Sequence, residues 1–173
     1  KSENKKNAPD GRIDELDHCA MTAEQIGLYK AVVDNLIEET EKTKAGSPQR
    51  KGAVLAAITA LKQICNHPLN YQDDGLGIEG RSGKLERLYE IIETVFAADE
   101  RVLVFTHFAT WGERLATHLA ERYELPIHCY HGGLGRSARD QMVDSFQKGK
   151  GRGAMVLSLK AGGTGLNLSL IHI

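Results

Sequence analysis

Apolar positions along this chain follow two rhythms, and the change falls near residue 82. Before it, apolar residues recur every three or four positions. In "MTAEQIGLYKAVVDNLIEETEK" the stripe is Ile26, Tyr29, Val33 and Leu36, and in the next segment it is Val54, Ile58, Leu61 and Cys65. That period predicts two amphipathic helices. Thr22 and Gln25 carry the capping-box spacing that starts the first. "AGSPQ" at 45–49 separates the two, and His67-Pro68 ends the second, because the residue before proline is driven out of the helical region. "YQDDGLGIEGRSG" is a polar, glycine-rich loop in which Asp73 and Asp74 are expected in solvent. Residues 1–12 are polar and predict a mobile tail or linker.

After residue 82, helical and strand patterns alternate. Leu85, Leu88, Ile92 and Val95 form an inward helical stripe. "RVLVFTHF" holds an apolar run, Val102 to Phe105, that predicts a strand buried on both faces. Trp111, Leu115 and Leu119 mark the next helix, "PIHCYHG" a short strand, and Met142, Val143 and Phe146 another helix. "GAMVLSL" is a third strand. Strands alternating with helices predict an α/β fold with a parallel sheet and right-handed crossovers. Ligands of such sheets bind beyond the carboxyl ends of the strands. Three segments leave those ends: Thr106-His107-Phe108, His131-Gly132-Gly133, and the glycine-rich stretch 160–167.

Composition narrows the picture only slightly. The chain has 173 residues, 41% hydrophobic and 26% charged, with a formal net charge of −1 from 22 basic and 23 acidic residues. That balance gives no global nucleic-acid footprint, so any nucleic-acid contact must be local. No stretch approaches the roughly 18–20 apolar residues that span a bilayer, so no membrane partner is expected. The N-terminus lacks the apolar core of a secretory signal. The first residue is not methionine and the last segment is apolar, from which a fragment is expected. Three widely spaced cysteines, Cys19, Cys65 and Cys129, lack any CxxC and predict reduced thiols in a cytoplasmic protein. Their spacing to histidines does not match structural zinc patterns, so no metal site is expected.

The three strand-end segments do not form a self-contained catalytic centre. The GxxxxGK[ST] phosphate loop is absent, the GxGxxG fingerprint is absent, and no nucleophile elbow occurs. The segments offer hydroxyls, backbone amides and Lys160. Such groups suit phosphate oxygens, which accept hydrogen bonds without sequence readout. The glycines of "LSLKAGGTGLNLS" equally suit a tight strand-to-helix turn. The physics of the residues leaves both readings open.

Five segments together are more specific: "LKQICNHP" (61–68), "SGKL" (82–85), "RVLVFTHF" (101–108), "YHGGLGRSARDQMVDSFQ" (130–147) and "AMVLSLKAGGTGLNLS" (154–169). In this order and spacing they resemble the C-terminal helicase lobe of Swi/Snf-family ATPases, the double-stranded-DNA translocases of helicase superfamily two, in wording closest to bacterial members. The resemblance covers about residues 18–168. It implies a RecA-like parallel sheet with flanking helices at 81–173, preceded by a helical interlobe segment at 18–80 and a tail or linker at 1–17. It implies ATP and Mg, held mainly by an N-terminal lobe, and two partners: that lobe and double-stranded DNA. It implies DNA-backbone roles for Thr106, His107, His131, Gly132, Gly133, Ser158, Lys160, Ala161 and Gly162. Gly165 and Asn167 would face the nucleotide. A cytoplasmic, nucleoid-associated location follows from the bacterial wording.

Bland alternatives stand beside these roles. His107 also fits a helix cap, His131 a packed strand end, and Asn167 a turn. His67 is expected to pack and hydrogen-bond rather than bind a ligand. Lys84, at a helix start, fits either a phosphate or interlobe contact or plain solvent. The chain departs from the family after Leu168, where "SLIHI" replaces the expected small residues and the arginine-bearing motif, so the lobe is expected to be incomplete at its C-terminus. With neither that motif nor a phosphate loop, this polypeptide alone is expected to hydrolyse no ATP and to contain no catalytic residue. Two other readings remain: a non-catalytic RecA-like module that docks on DNA or protein, and the matching lobe of an RNA helicase, against which "GGTGLN" and "ICNHP" argue.

Overall fold

The computed structural model describes residues 5–7 and 13–159. Two compact units divide the chain: Cys19–Tyr89, and Glu90 onward together with the residues up to His18. Two three-residue strands, β1 (Lys5–Asn7) and β2 (Ile13–Glu15), pair antiparallel near the N-terminus. The polar sequence there gave no sign of them.

The unit Cys19–Tyr89 is helical. Helix α1 spans Ala23–Lys42 and opens on Thr22 with both halves of the capping box in place. Helix α2, Pro48–Asn66, starts on a Ser47 cap with proline in its first turn, where a missing N–H costs nothing. Val32, Ala57 and Ile64 form the core between them, with Leu28, Tyr29, Leu36 and Leu61 packed around.

The buried stripe is rotated from the one the apolar pattern predicts. Ile26 is 51% exposed and Ile58 45% exposed, whereas Gln25 is buried. The reason is hydrogen bonding. The Gln25 amide donates to Ile64 O at 2.7 Å and accepts from Thr22 N and Gly83 N at 3.0 and 3.3 Å. An amide bonded through both its nitrogen and its oxygen can occupy an inward position that periodicity assigns to the neighbouring isoleucine.

His67 closes α2. It is fully buried. Its Nδ1 accepts from Leu69 N at 3.0 Å and starts the single turn α3 (Pro68–Tyr71), while Nε2 bonds Ile78 O at 2.8 Å. Burial pushes the imidazole pKa down. This is the packing and hydrogen-bonding role expected of it.

Helix α4, Gly83–Ala97, buries Leu85, Tyr89, Ile92 and Phe96. Leu88 and Val95 are only half-buried, so the inward stripe is Leu85 and Ile92 extended by the two aromatics. A Cβ on Gly83 would stand 1.8 Å from the carbonyl oxygen of Ala20. Glycine is needed there by close backbone approach.

The second unit carries a parallel sheet. Strand β3 is Arg101–Thr106, helix α5 Ala109–Tyr123, strand β4 Cys129–Tyr130, helix α6 Arg136–Lys148 and strand β5 Gly153–Ser158. The order is β3-β5-β4, with both pairings parallel. All six residues of β5 are buried. Strand β3 was expected to be buried on both faces, but Val102 to Val104 are half-buried and Phe105 is 48% exposed. Among the described strands β3 lies at an edge, and the central position belongs to β5. Tyr130, Phe146, Met155 and Leu157 form a core cluster, with Met142 and Val143 packed against it. Trp111, Leu115 and Leu119 of α5 are buried at the spacing the sequence predicts.

Candidate nucleic-acid interface

Register brings three of the predicted residues to one edge. Thr106 ends β3 and pairs with Ser158, which ends β5. Tyr130 of β4 pairs with Leu157, so His131 leaves the sheet beside Ser158. Thr106 and Ser158 are 7% and 2% exposed. His107, Gly132 and Gly133 are exposed next to them. Lys160, Ala161, Gly162, Gly165 and Asn167 lie outside the described residues.

The turn after β3 is built by its own side chain. Thr106 Oγ1 accepts from Phe108 N at 3.3 Å, and α5 then starts on Phe108 with no side-chain cap. Gly112, in the first turns of α5, lets that helix lie against the sheet. A Cβ there would meet Cys129 Sγ at 2.8 Å and Thr106 Cγ2 at 3.0 Å. Cys129 is itself buried, and burial, reinforced by the Glu113 carboxylate, pushes its thiol up to about 11. Such a thiol stays protonated and packs as a small apolar group.

His131 is oriented from two sides. Its Nδ1 accepts from Gly133 N at 3.2 Å, and its Nε2 lies 2.8 Å from Glu113 Oε1. An accepting Nδ1 requires the proton on Nε2, which then donates to the carboxylate. The ring is thereby held in one tautomer, with its edge closing the His131-Gly132-Gly133 turn. A Cβ on Gly133 would stand 3.1 Å from that ring, whereas Gly132 has open space around it. Neither Gly112 nor Glu113 was found from sequence. Glu113 is one acidic residue on an amphipathic helix, and only the β4 register places His131 beside it.

Helix α6 begins on Gly135, again with no side-chain cap, no acidic residue in its first turn, and Arg136 at its first position. The starts of α5 and α6 therefore both lack side-chain caps at the carboxyl side of the sheet. Uncapped N–H groups at helix starts carry partial positive charge. Such helix starts suit anionic oxygens, whereas the Thr106 and Ser158 hydroxyls beside them are buried. Among the described residues, no group of three or more His, Cys, Asp or Glu is placed to hold a metal ion.

Elsewhere, Lys84 Nζ donates to Asn66 Oδ1 at 3.3 Å and is otherwise exposed. The loop before it is more ordered than its polarity suggests. Arg81 Nη2 meets Glu24 Oε1 at 2.5 Å and also pairs with Asp74, while Arg81 Nη1 donates to Gly77 O at 3.0 Å. Asp74 is exposed, as expected, and from the surface it also anchors the loop, because a guanidinium with two carboxylate partners fixes all three groups.

A parallel sheet of this order, flanked by helices and with its candidate residues at the carboxyl edge, defines a RecA-like lobe. The helicase conserved C-terminal domain family matches residues 83–173. Bacillus subtilis YwqA, named as an ATP-dependent helicase/translocase, is 35% identical over 165 residues, which is 94% of this chain and 18% of that protein. The C-terminal domain of a Sulfolobus solfataricus SWI2/SNF2 ATPase superposes with a TM-score of 0.79 at 33% identity, over 87% of this chain and 65% of that domain. The core of that ATPase, solved in complex with double-stranded DNA, superposes with a TM-score of 0.74 at 30% identity, over 81% of this chain and 29% of that core. The chain belongs to the helicase conserved C-terminal domain family, as a C-terminal lobe of Swi/Snf type. It spans under a fifth of the length of its Bacillus relative.

Proposed function

We propose that this chain is one lobe of an ATP-dependent double-stranded-DNA translocase, and that its carboxyl-edge loops grip the phosphate backbone. One observation carries this reading: the sheet register gathers Thr106, Ser158 and His131 at one edge, flanked by the uncapped starts of α5 and α6. Donors in a row bind phosphates without reading bases, as a motor that moves along any sequence requires. The DNA complex of the similar Sulfolobus core supports the same reading. Lys160, Ala161 and Gly162 would extend the grip, and Gly165 and Asn167 would turn toward ATP bound mainly by an N-terminal lobe. Closing and opening of the two lobes around ATP would move the gripped strand.

The test is duplex binding by the full-length protein across a range of salt concentrations. Lys160→Ala should weaken binding to unrelated sequences alike and make the salt slope shallower by about one. An unchanged slope would remove Lys160 from the backbone contact. Double-stranded DNA should stimulate ATP hydrolysis more than RNA does, and the reverse preference would favour an RNA helicase. This chain alone, lacking the phosphate loop, should show no ATPase activity.

A further inference from the structure

The opposite edge of the sheet, at the amino ends of β3 and β5, holds a cavity of about 390 Å³. Its polar wall is cationic: Arg101, Lys150 and Arg152, with His128 beside them. No carboxylate lines it. Asp99 is close in the fold, but it accepts from the backbone N–H of Arg152 at 3.1 Å. The other wall is apolar, built from Leu125, Pro126, Met142, Phe146 and Met155.

Arg101 is the centre of the arrangement. Its guanidinium lies 4.4 Å above the Phe146 ring. A Cβ on Gly149 would come within 2.3 Å of its Nη1, and one on Gly153 within 2.9 Å of its Nη2. The loop "GKGRG" therefore closes around the guanidinium only because it is glycine at both ends, and Gly151 adopts a φ of +75° between them. Arg101 Nε is buried and has no hydrogen-bond partner among the described residues. Burial also lowers its pKa, with no opposing acid to restore it. A buried donor left unpaired normally destabilises the fold. An anion in the cavity would give this unpaired donor a partner.

We propose that this cavity binds a small phosphate monoester carrying an apolar or aromatic group. The phosphoryl oxygens would meet Lys150, Arg152 and the Arg101 guanidinium, and the organic part would lie against Met142 and Leu125. The volume is within the range of roughly 300–1,000 Å³ usual for small-molecule sites. Guanidinium forks favour phosphate for geometric reasons as well as charge. The proposal is independent of the DNA reading, because it uses neither the loops nor the residues of the carboxyl edge.

The test is calorimetric titration of the chain with phenyl phosphate and, separately, inorganic phosphate at fixed ionic strength. Phenyl phosphate should bind more tightly by about tenfold, the effect of burying a ring-sized apolar surface. The double variant Lys150→Ser, Arg152→Ser changes two exposed positions and should keep the melting temperature of the unliganded chain. It should weaken phenyl phosphate at least about tenfold, as loss of charge-assisted hydrogen bonds requires. Arg101→Lys, which keeps the charge and loses the fork, should weaken it too. Equal binding of both anions would overturn the apolar half of the proposal. Binding indifferent to all three substitutions, or no binding, would overturn the site.

Discussion

At the scale of single residues, the most informative contact is His131 with Glu113. The carboxylate keeps the imidazole proton on Nε2, which frees Nδ1 to hold the Gly133 N–H. Glu113 is therefore a positioning residue for a turn it does not belong to. In the full-length protein, Glu113→Ala and His131→Ala should each raise the DNA concentration needed for half-maximal ATPase activity. Their effects should not add. A double-mutant cycle should give a coupling of about 0.5–3 kcal/mol. Additive effects would mean the two side chains act separately. Gly112→Ala tests the same region differently, since its Cβ would press on Cys129 and Thr106. Overpacking of this kind costs about 1–3 kcal/mol, read as a lowered denaturation midpoint.

At the scale of elements, the loop between α3 and α4 is held by charge. Hydrogen bonds from Arg81 hold the Glu24 and Asp74 carboxyls below their usual range. Their depressed folded-state pKa values mean that this stabilisation is present above the unfolded carboxylate values and is lost as pH falls through the folded ones. His67 acts in the same direction by another route. Its pKa is lowered by burial, so stability begins to fall once pH drops below the ordinary value of 6.5, where the unfolded state takes up the proton first. Melting temperature should therefore decline in two stages, one from about pH 6.5 and one in the carboxylate range. Arg81→Gln should remove the lower stage and leave the upper. A single transition unaffected by that substitution would contradict the assignment.

Much of this architecture was legible in the amino-acid sequence, and the exceptions have physical causes. The capping box of Thr22 and Gln25, the Trp111-Leu115-Leu119 stripe and the parallel strands all follow from local patterns, and all are present. In α1 and α2 the helices were evident but their inner faces were not. Apolar residues there fit more than one stripe, and the choice was made by Gln25, whose amide bonds lie 39 and 58 residues away in sequence. Exposure of β3 depended on strand order, which no local pattern encodes. The three strand-end segments were identifiable as candidates because loops at the carboxyl ends of parallel strands share an edge. Glu113 was not identifiable, because its significance depends on a register between distant strands.

At the scale of the whole molecule, the sheet separates two chemistries. The carboxyl edge presents His107, the His131-Gly132-Gly133 turn and uncapped helix starts, and the amino edge presents the Arg101 cavity. If the carboxyl edge grips DNA, the most direct measurement is DNA-stimulated ATP hydrolysis by the full-length protein with the exposed His107 changed to Ala and, separately, with Lys160 changed to Ala. The account predicts that each variant keeps its maximal rate at saturating duplex while needing several-fold more DNA to reach half of it, as expected when a contact serves binding rather than chemistry. Half-saturation unchanged in both variants would contradict a DNA grip at this edge and favour a lobe that serves another surface.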